Sequence, residues 1–252
     1  MKKTILSIIA ATMSLATTAQ TNIWYWQNGT ATKVEAVDSI TFTEPQAVTP
    51  ETPTHEYVDL GLSVKWATCN VGAEKPEDYG DYFAWGETEP KDTYSWATYK
   101  FTTDGGSTFT KYTGSDKTVL DAADDAAAAN WGGDWRMPTL DEQKELLDNC
   151  TWEWQEEGNT AFGGVAGMKV TSKKTGYTDK YIFLPASGYR DGATLYGAGS
   201  YGDYWSATLY AGNAEYACGL DFYSGDQGWD GGRRCLGQAV RPVYSSSSSV
   251  QY

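Results

Sequence analysis

A chain of 252 residues with 14% aromatic side chains and 27 glycines can build a real core and many loops, in one or two domains. Its net charge of −14 argues against nucleic acid or an anionic membrane surface as partner, since both need clustered Lys and Arg. One histidine and four cysteines in no zinc-like spacing give no reason to expect a metal or another cofactor.

The N-terminus reads as an export signal. Lys2 and Lys3 precede the apolar run Ile5–Leu15, and Thr17-Thr18-Ala19 offers small residues before a cut at Gln20. The run is too short to span a bilayer, no Cys follows it to carry a lipid, and no later stretch suits membrane insertion. The expected protein is exported (periplasmic, cell-surface-associated or secreted), with residues 1–19 removed as a signal peptide.

Residues 20–43 form a small N-terminal β segment. Asn28-Gly29 between two β-prone runs is a hairpin signal, and the segment is too short for its own core. Residues 44–55 follow as a Pro/Thr linker that should run extended. His55 closes it and reads as a solvated linker residue, badly placed to serve as a catalytic base.

The main domain is expected over residues 56–244, with a Ser-rich tail at 245–252. YVDLGLSVKWATCNVG predicts two short strands split by Gly61, and DYFAWGE a third. Residues 88–118, rich in Thr, Gly, Ser and Tyr, predict a long surface excursion with a short strand near Tyr99–Phe101. LDAADDAAAANWG predicts an Ala-rich helix stopped by Gly132-Gly133. PTLDEQKELLDNC predicts a second helix, opened by Thr139 and Glu142 in capping-box spacing, with Leu140, Gln143, Leu146, Leu147 and Cys150 on one face. Asp124, Asp125 and Asp141 belong on the solvent faces of these helices. MKVTSKKTGYTDKYIFLPAS predicts a hairpin around Lys173–Thr178, with YIFLPA as a central strand. Strands, two helices, then strands to the end describe an α+β fold.

Gly197-Ala-Gly-Ser-Tyr-Gly202 spells a dinucleotide-binding fingerprint, but a strand and not a helix should follow it, so it reads as a loop. The C-terminal block Tyr204–Val243 has an apolar frame filled with Tyr, Gly, Asp, Asn, Ser and Arg, the composition of a binding surface. In Tyr216–Tyr223, Tyr216, Cys218, Leu220 and Phe222 share one strand face. Ala217, Gly219, Asp221 and Tyr223 share the other, which is free to meet a partner. Asp221, Asp226 and Asp230 alone leave a Ca²⁺ ion short of ligands and read as exposed acids. Trp66, Trp85, Trp131, Trp135 and Trp205 read as core, while Trp229 has only small or polar neighbours.

EYVDLGLSVKWATCNVGA, DYFAWGET, NWGGDWRMPT, the helix ending in CTW, IFLPASGYR, YWSAT and GQAVRPV stand in this order over residues 56–243. Together they resemble the Fibrobacter-type major paralogous domain, a group of secreted bacterial domains related to the C-type lectin fold. The resemblance implies a C-type-lectin-like α+β domain with two helices and mostly antiparallel short strands. The C-terminal block is similar to the variable region of proteins diversified by retroelements, in which altered side chains line a ligand-binding face. Carried onto this chain, Trp205, Ser206, Leu220, Phe222, Gln227, Trp229, Arg234 and Gly237 would be fixed frame, and Gly219, Gly228, Gly231 and Gly232 would be among the variable positions. Apart from Glu215, Gln227 and Trp229, every residue over Leu209–Leu236 is reachable by changing the two adenines of an AAC codon.

The expected ligand-binding surface is therefore Tyr210, Asn213, Tyr216, Asp221, Tyr223, Asp226, Asp230 and Arg233, with a protein or glycan as ligand. The chain reads as a non-enzymatic, exported ligand-binding protein. A carbohydrate-binding module on the same fold is the alternative, and an Asp/Glu-based hydrolase, which lacks a spaced carboxylate pair, the third.

Overall fold

The computed structural model describes residues 23–27, 30–34, 55–114 and 117–245. The expected signal peptide, the linker before His55 and the tail beyond Ser245 lie outside the described residues. The chain divides into two units, Met1–Glu51 and Thr52–Tyr252. In the first, strands β1 (Ile23–Gln27) and β2 (Thr30–Val34) pair antiparallel with Gln27 opposite Thr30. That register is the antiparallel pairing expected of the two runs on either side of Asn28-Gly29, which themselves lie outside the described residues.

The second unit runs β3 (Tyr57–Val58), β4 (Lys65–Ala67), α1 (Ala126–Trp131), β5 (Trp135–Arg136), α2 (Leu140–Asn149), β6 (Cys150–Gln155), β7 (Gly167–Ser172), β8 (Tyr181–Pro185), β9 (Tyr189–Asp191), β10 (Thr194–Tyr196), β11 (Tyr201–Leu209), β12 (Tyr216–Tyr223), β13 (Asp226–Arg233), β14 (Gly237–Gln238) and β15 (Val243–Tyr244). Its sheets are small and their strands pair antiparallel, in the orders β3-β4-β15-β5, β6-β7-β8, β10-β9-β14 and β11-β12-β13. With two α-helices among the described residues, the domain is α+β. None of the described helices is long and apolar enough to cross a membrane.

The second helix forms where its local chemistry says it should. Thr139 caps α2 by accepting from the Glu142 N–H, and the Glu142 carboxylate accepts from Thr139 N at 2.8 Å. Leu140, Gln143, Leu146 and Cys150 are buried and Leu147 half-buried, so the expected face is the one that packs.

Four expectations fail, in whole or in part, for non-local reasons. DYFAWGE is not a strand: only Phe83 makes a bridge, to Gln238, and Trp85 N donates to Arg234 O, so its backbone partners are scattered. The segment 88–118 lies largely at the surface as expected, but it is pinned from within, because Tyr94, Tyr99, Phe101 and Tyr112 turn inward and build core, and a 3-10 turn at Trp96–Thr98 replaces the expected strand. The Ala-rich helix is broken into a 3-10 turn (Ala122–Asp124) and α1, and Asp124 and Asp125 are buried rather than solvent-facing. Asp125 caps α1 through Ala128 N and also accepts from Met137 N, while Asp124 accepts from Lys111, Lys100 and Tyr112. Finally, YIFLPA is buried from Ile182 onward but forms the edge strand β8, where Pro185 lacks an N–H to give. His55 also departs from a solvated linker role, for its ring stacks on Trp131 with centroids 3.7 Å apart.

The core has two large clusters, and the β11–β12 pair feeds both. Trp205, Ala207, Leu209 and Ala217 join Trp85, Tyr94, Tyr99 and Tyr112 on one side. Tyr204, Leu220 and Phe222 join Leu60, Trp66, Leu146, Met168 and Ile182 on the other. All four cysteines are free thiols.

Candidate ligand-binding face

The register of β11, β12 and β13 sets side chains in rows across the sheet. Tyr201, Tyr223 and Asp226 form the outermost row. Asp203, Asp221 and Gly228 form the next but one along the strands, and Trp205, Gly219 and Asp230 the one beyond. Because strand side chains alternate, these three rows share one face. The opposite face carries Tyr204, Leu220 and Trp229 in register and packs toward α2, whose Lys144 Nζ lies 4.5 Å above the Trp229 ring.

The inner end of the first face is closed. Ala217, Gly219 and Trp205 are buried there, so only Asp221 and Tyr223 of the four residues expected to face a partner are open to one. The anchors of this end are polar as well as apolar. Trp205 Nε1 donates to Phe83 O and Trp85 Nε1 to Ser206 O, both at 2.8 Å, and Ser206 Oγ donates to Cys218 O at 2.8 Å. Arg234, fully buried, donates to Tyr112 O, Ala214 O and Lys111 O.

Between the closed end and the open rows lies a cavity of about 150 Å³, lined by Asp203, Gly219, Asp221, Asp230, Gly232 and Gln238 among others. Two glycines make its floor possible. A Cβ on Gly219 would stand 2.8 Å from Tyr204 O, and one on Gly232 would stand 2.6 Å from Gln238 Nε2 and 2.8 Å from the Trp205 ring. Neither position has room for a side chain, whereas Gly228 does, with Asp221 Oδ1 3.9 Å away. Burial pushes the Asp203 carboxyl up to about 6, helped by the neighbouring Asp221 charge. Burial also raises Asp221, with Asp230 and Asp226 adding to it.

The eight residues expected to bind are divided by the fold. Asp221, Tyr223, Asp226 and Asp230 share the open face. Tyr210 and Tyr216 go to the other: a Cβ on Gly231 would stand 2.7 Å from the Tyr210 ring, and the two tyrosine rings are 6.3 Å apart. Asn213 shapes the turn before β12, accepting from Glu215 N through Oδ1 at 3.0 Å. Arg233 ends the edge strand bridged to Asp191 at 2.9 Å. Three contributors escape a reading centred on residues 210–233. Tyr201 and Asp203 lie on β11, and Gln238 arrives from β14; the Tyr201-Asp203-Trp205 alternation was the available signal for the first two. Among the described residues, no three His, Cys, Asp or Glu side chains are grouped so as to hold a metal ion.

Comparison with protein-family models, with curated proteins and with solved structures finds no match to this chain.

Proposed function

We propose that this is an exported ligand-binding protein, a C-type-lectin-like domain of the Fibrobacter-type major paralogous group, that presents the open face of β11–β13 to a protein or glycan. One observation carries the reading. On one face of this sheet Tyr201, Asp203, Asp221, Tyr223, Asp226 and Asp230 surround or rim a cavity, while Leu220 and Phe222 anchor the strands from the other face and Trp205 closes the inner end of the first. The two helices, the small antiparallel sheets and the pairing of the domain's last strand with β4 support the fold assignment. The block motifs over residues 56–243 support the family.

The test is binding of the purified full chain to protein, peptide and glycan arrays, repeated with Asp221→Ala and Tyr223→Ala. Loss of a specific ligand at unchanged melting temperature is expected, and a ligand indifferent to both would refute the assignment of the face. Diversification of the block has a separate test in the neighbouring DNA, namely a near-copy of its coding segment differing only at adenines, beside a reverse transcriptase gene. The carbohydrate-module reading draws on the exposed tyrosines, since Tyr201 and Tyr223 sit side by side and Tyr189 stacks with Tyr196. A glycan hit lost in Tyr223→Ala would favour it.

A further inference from the structure

We infer that the cavity between Asp203, Asp221, Asp230 and Gln238 receives one cationic side chain, the ammonium or guanidinium end of a Lys or Arg on a protein partner. The inference rests on the reading of this face as a binding surface and names what that surface takes.

Gln238 is the first observation. Its backbone is tied in both directions to Phe83, which fixes it at the cavity wall. The residue is only 6% exposed, and its carboxamide, which makes no side-chain hydrogen bond among the described residues, points at Gly219 and Gly232 along the cavity floor. The amide atoms are not sealed in the interior but open into the cavity, so a group held this way by its backbone, with its donor and acceptor free, is one that a ligand can complete.

The carboxylates are the second. No donor from the described residues reaches the Asp203 carboxylate, and the charge that faces it is Asp221, itself faced by Asp230 and Asp226. Asp230 Oδ1 accepts from Gly231 N at 2.7 Å and keeps its other oxygen. The nearby cations are engaged elsewhere, Arg233 with Asp191 and Lys144 over Trp229 on the opposite face. The cavity thus offers many acceptors, negative charge and a single amide donor. A cation rich in N–H donors is the complement; hydroxyls would supply donors but leave the charges facing one another. The spread of the carboxylates over two rows suits a group carrying several N–H bonds better than a single metal ion, and no metal-holding group of three is formed among the described residues.

The third observation gives the cation a stem. On the outward side of the cavity, Tyr201 and Tyr223 are paired across the strands with ring centroids 6.0 Å apart, and both are exposed. A methylene chain can lie on these rings while its charged end reaches the carboxylates, which is how long basic side chains divide themselves between apolar and polar surroundings.

The test is titration of the full chain, by calorimetry and by amide chemical shifts, with Nα-acetyl-arginine methylamide, Nα-acetyl-lysine methylamide and the neutral Nα-acetyl-norleucine methylamide. Saturable shifts at Gly219, Asp221 and Gly232 are expected with the two cations, at least about tenfold tighter than with the norleucine probe. Asp221→Asn and Gln238→Leu should each weaken the cations by about tenfold, with the melting temperature confirming that both variants fold. Equal affinity for cationic and neutral probes would overturn the inference, and so would glucosamine binding more tightly than either side-chain probe. An array ligand lost in Tyr223→Ala but untouched by Asp221→Asn and Gln238→Leu would overturn the cation receptor and leave the binding face standing. Cation binding in the cavity with every array blank would support the receptor and count against the wider reading.

Discussion

Arg234 and Tyr99 are 135 residues apart in the chain, yet Arg234 Nε donates to Tyr99 Oη at 2.8 Å in the interior. The guanidinium also lies 4.8 Å over the Trp85 ring and 4.6 Å over Phe109, and Tyr99 Oη donates a hydrogen bond to Trp85 O at 2.8 Å. Burial pushes Tyr99 well above the usual phenol range, which keeps it neutral beside the cation. The planar fork of Arg matches three carbonyls and a phenol at once, which an ammonium cannot. Arg234→Lys and Arg234→Met should each lose about 3–5 kcal/mol in urea unfolding. Full stability in the Lys variant would show that the fork is dispensable.

Asp203 gives a pH dependence with a definite sign. Its folded value near 6 lies above the ordinary 3.8, so its stabilising contribution is complete below the ordinary value and lost as pH rises through 6. Asp203→Asn should therefore be more stable than the parent at about pH 7.5, by about 2 kcal/mol, with the gain shrinking toward about pH 4. Thermal melts across that range check it; a gain that grows on acidification would contradict the assignment.

Asp124 should behave in the opposite sense. Burial alone would raise its carboxyl, but donors from Lys111, Tyr112 and Lys100 outweigh that and hold it below the ordinary 3.8. Its contribution is present above that value and lost as pH falls through the lowered one. Asp124→Ala should cost about 3 kcal/mol near neutrality and narrow the gap to the parent in strong acid. Parallel acid-unfolding curves would disprove this role.

The two faces of β12 should separate in a mutational scan. Leu220→Ala and Phe222→Ala remove buried side chains and should cost about 2–5 kcal/mol. Tyr223→Ala should stay within about 0.5 kcal/mol, as surface changes do. Denaturant midpoints measured on the three proteins decide between this order and its reverse.

The thiols should differ in reactivity. Burial pushes Cys150, Cys218 and Cys235 up to about 11, whereas Cys69 is only half-buried. Iodoacetamide at about pH 8 should label Cys69 first and the other three only after unfolding, since the thiolate is the nucleophile. Mass spectrometry of the native protein showing Cys218 or Cys235 modified would contradict it.

What could be read from the sequence is what neighbours in the chain decide. Thr139 and Glu142 are three residues apart and cap each other, and Leu220 and Phe222 bury by simple alternation. Asp124 looked like a helix-surface acid because its partners Lys100 and Lys111 come from a segment with no periodic signal. Tyr94, Tyr99, Phe101 and Tyr112 are spaced by no regular repeat, so nothing local marked them as core. The cavity was hidden for the same reason: its walls come from β11, β12, β13 and β14, and only their pairing brings Asp203, Asp221, Asp230 and Gln238 together. Gly219 and Gly232 looked substitutable until Gln238 and Trp205 were found against them.

β13 is the last strand of its sheet, and among the described residues one side of its backbone has no strand to pair with. Such a rim is a template for a second copy of the same strand, and runaway stacking is the hazard. Here the strand sequence DQGWDGGR puts acids at Asp226 and Asp230 and offers three glycines in place of adhesive β-branched side chains. Two such rims brought together would meet acid against acid in a chain that is already strongly anionic. The open strand can thus remain uncovered in concentrated solution, kept apart from its own kind by charge rather than by a lid.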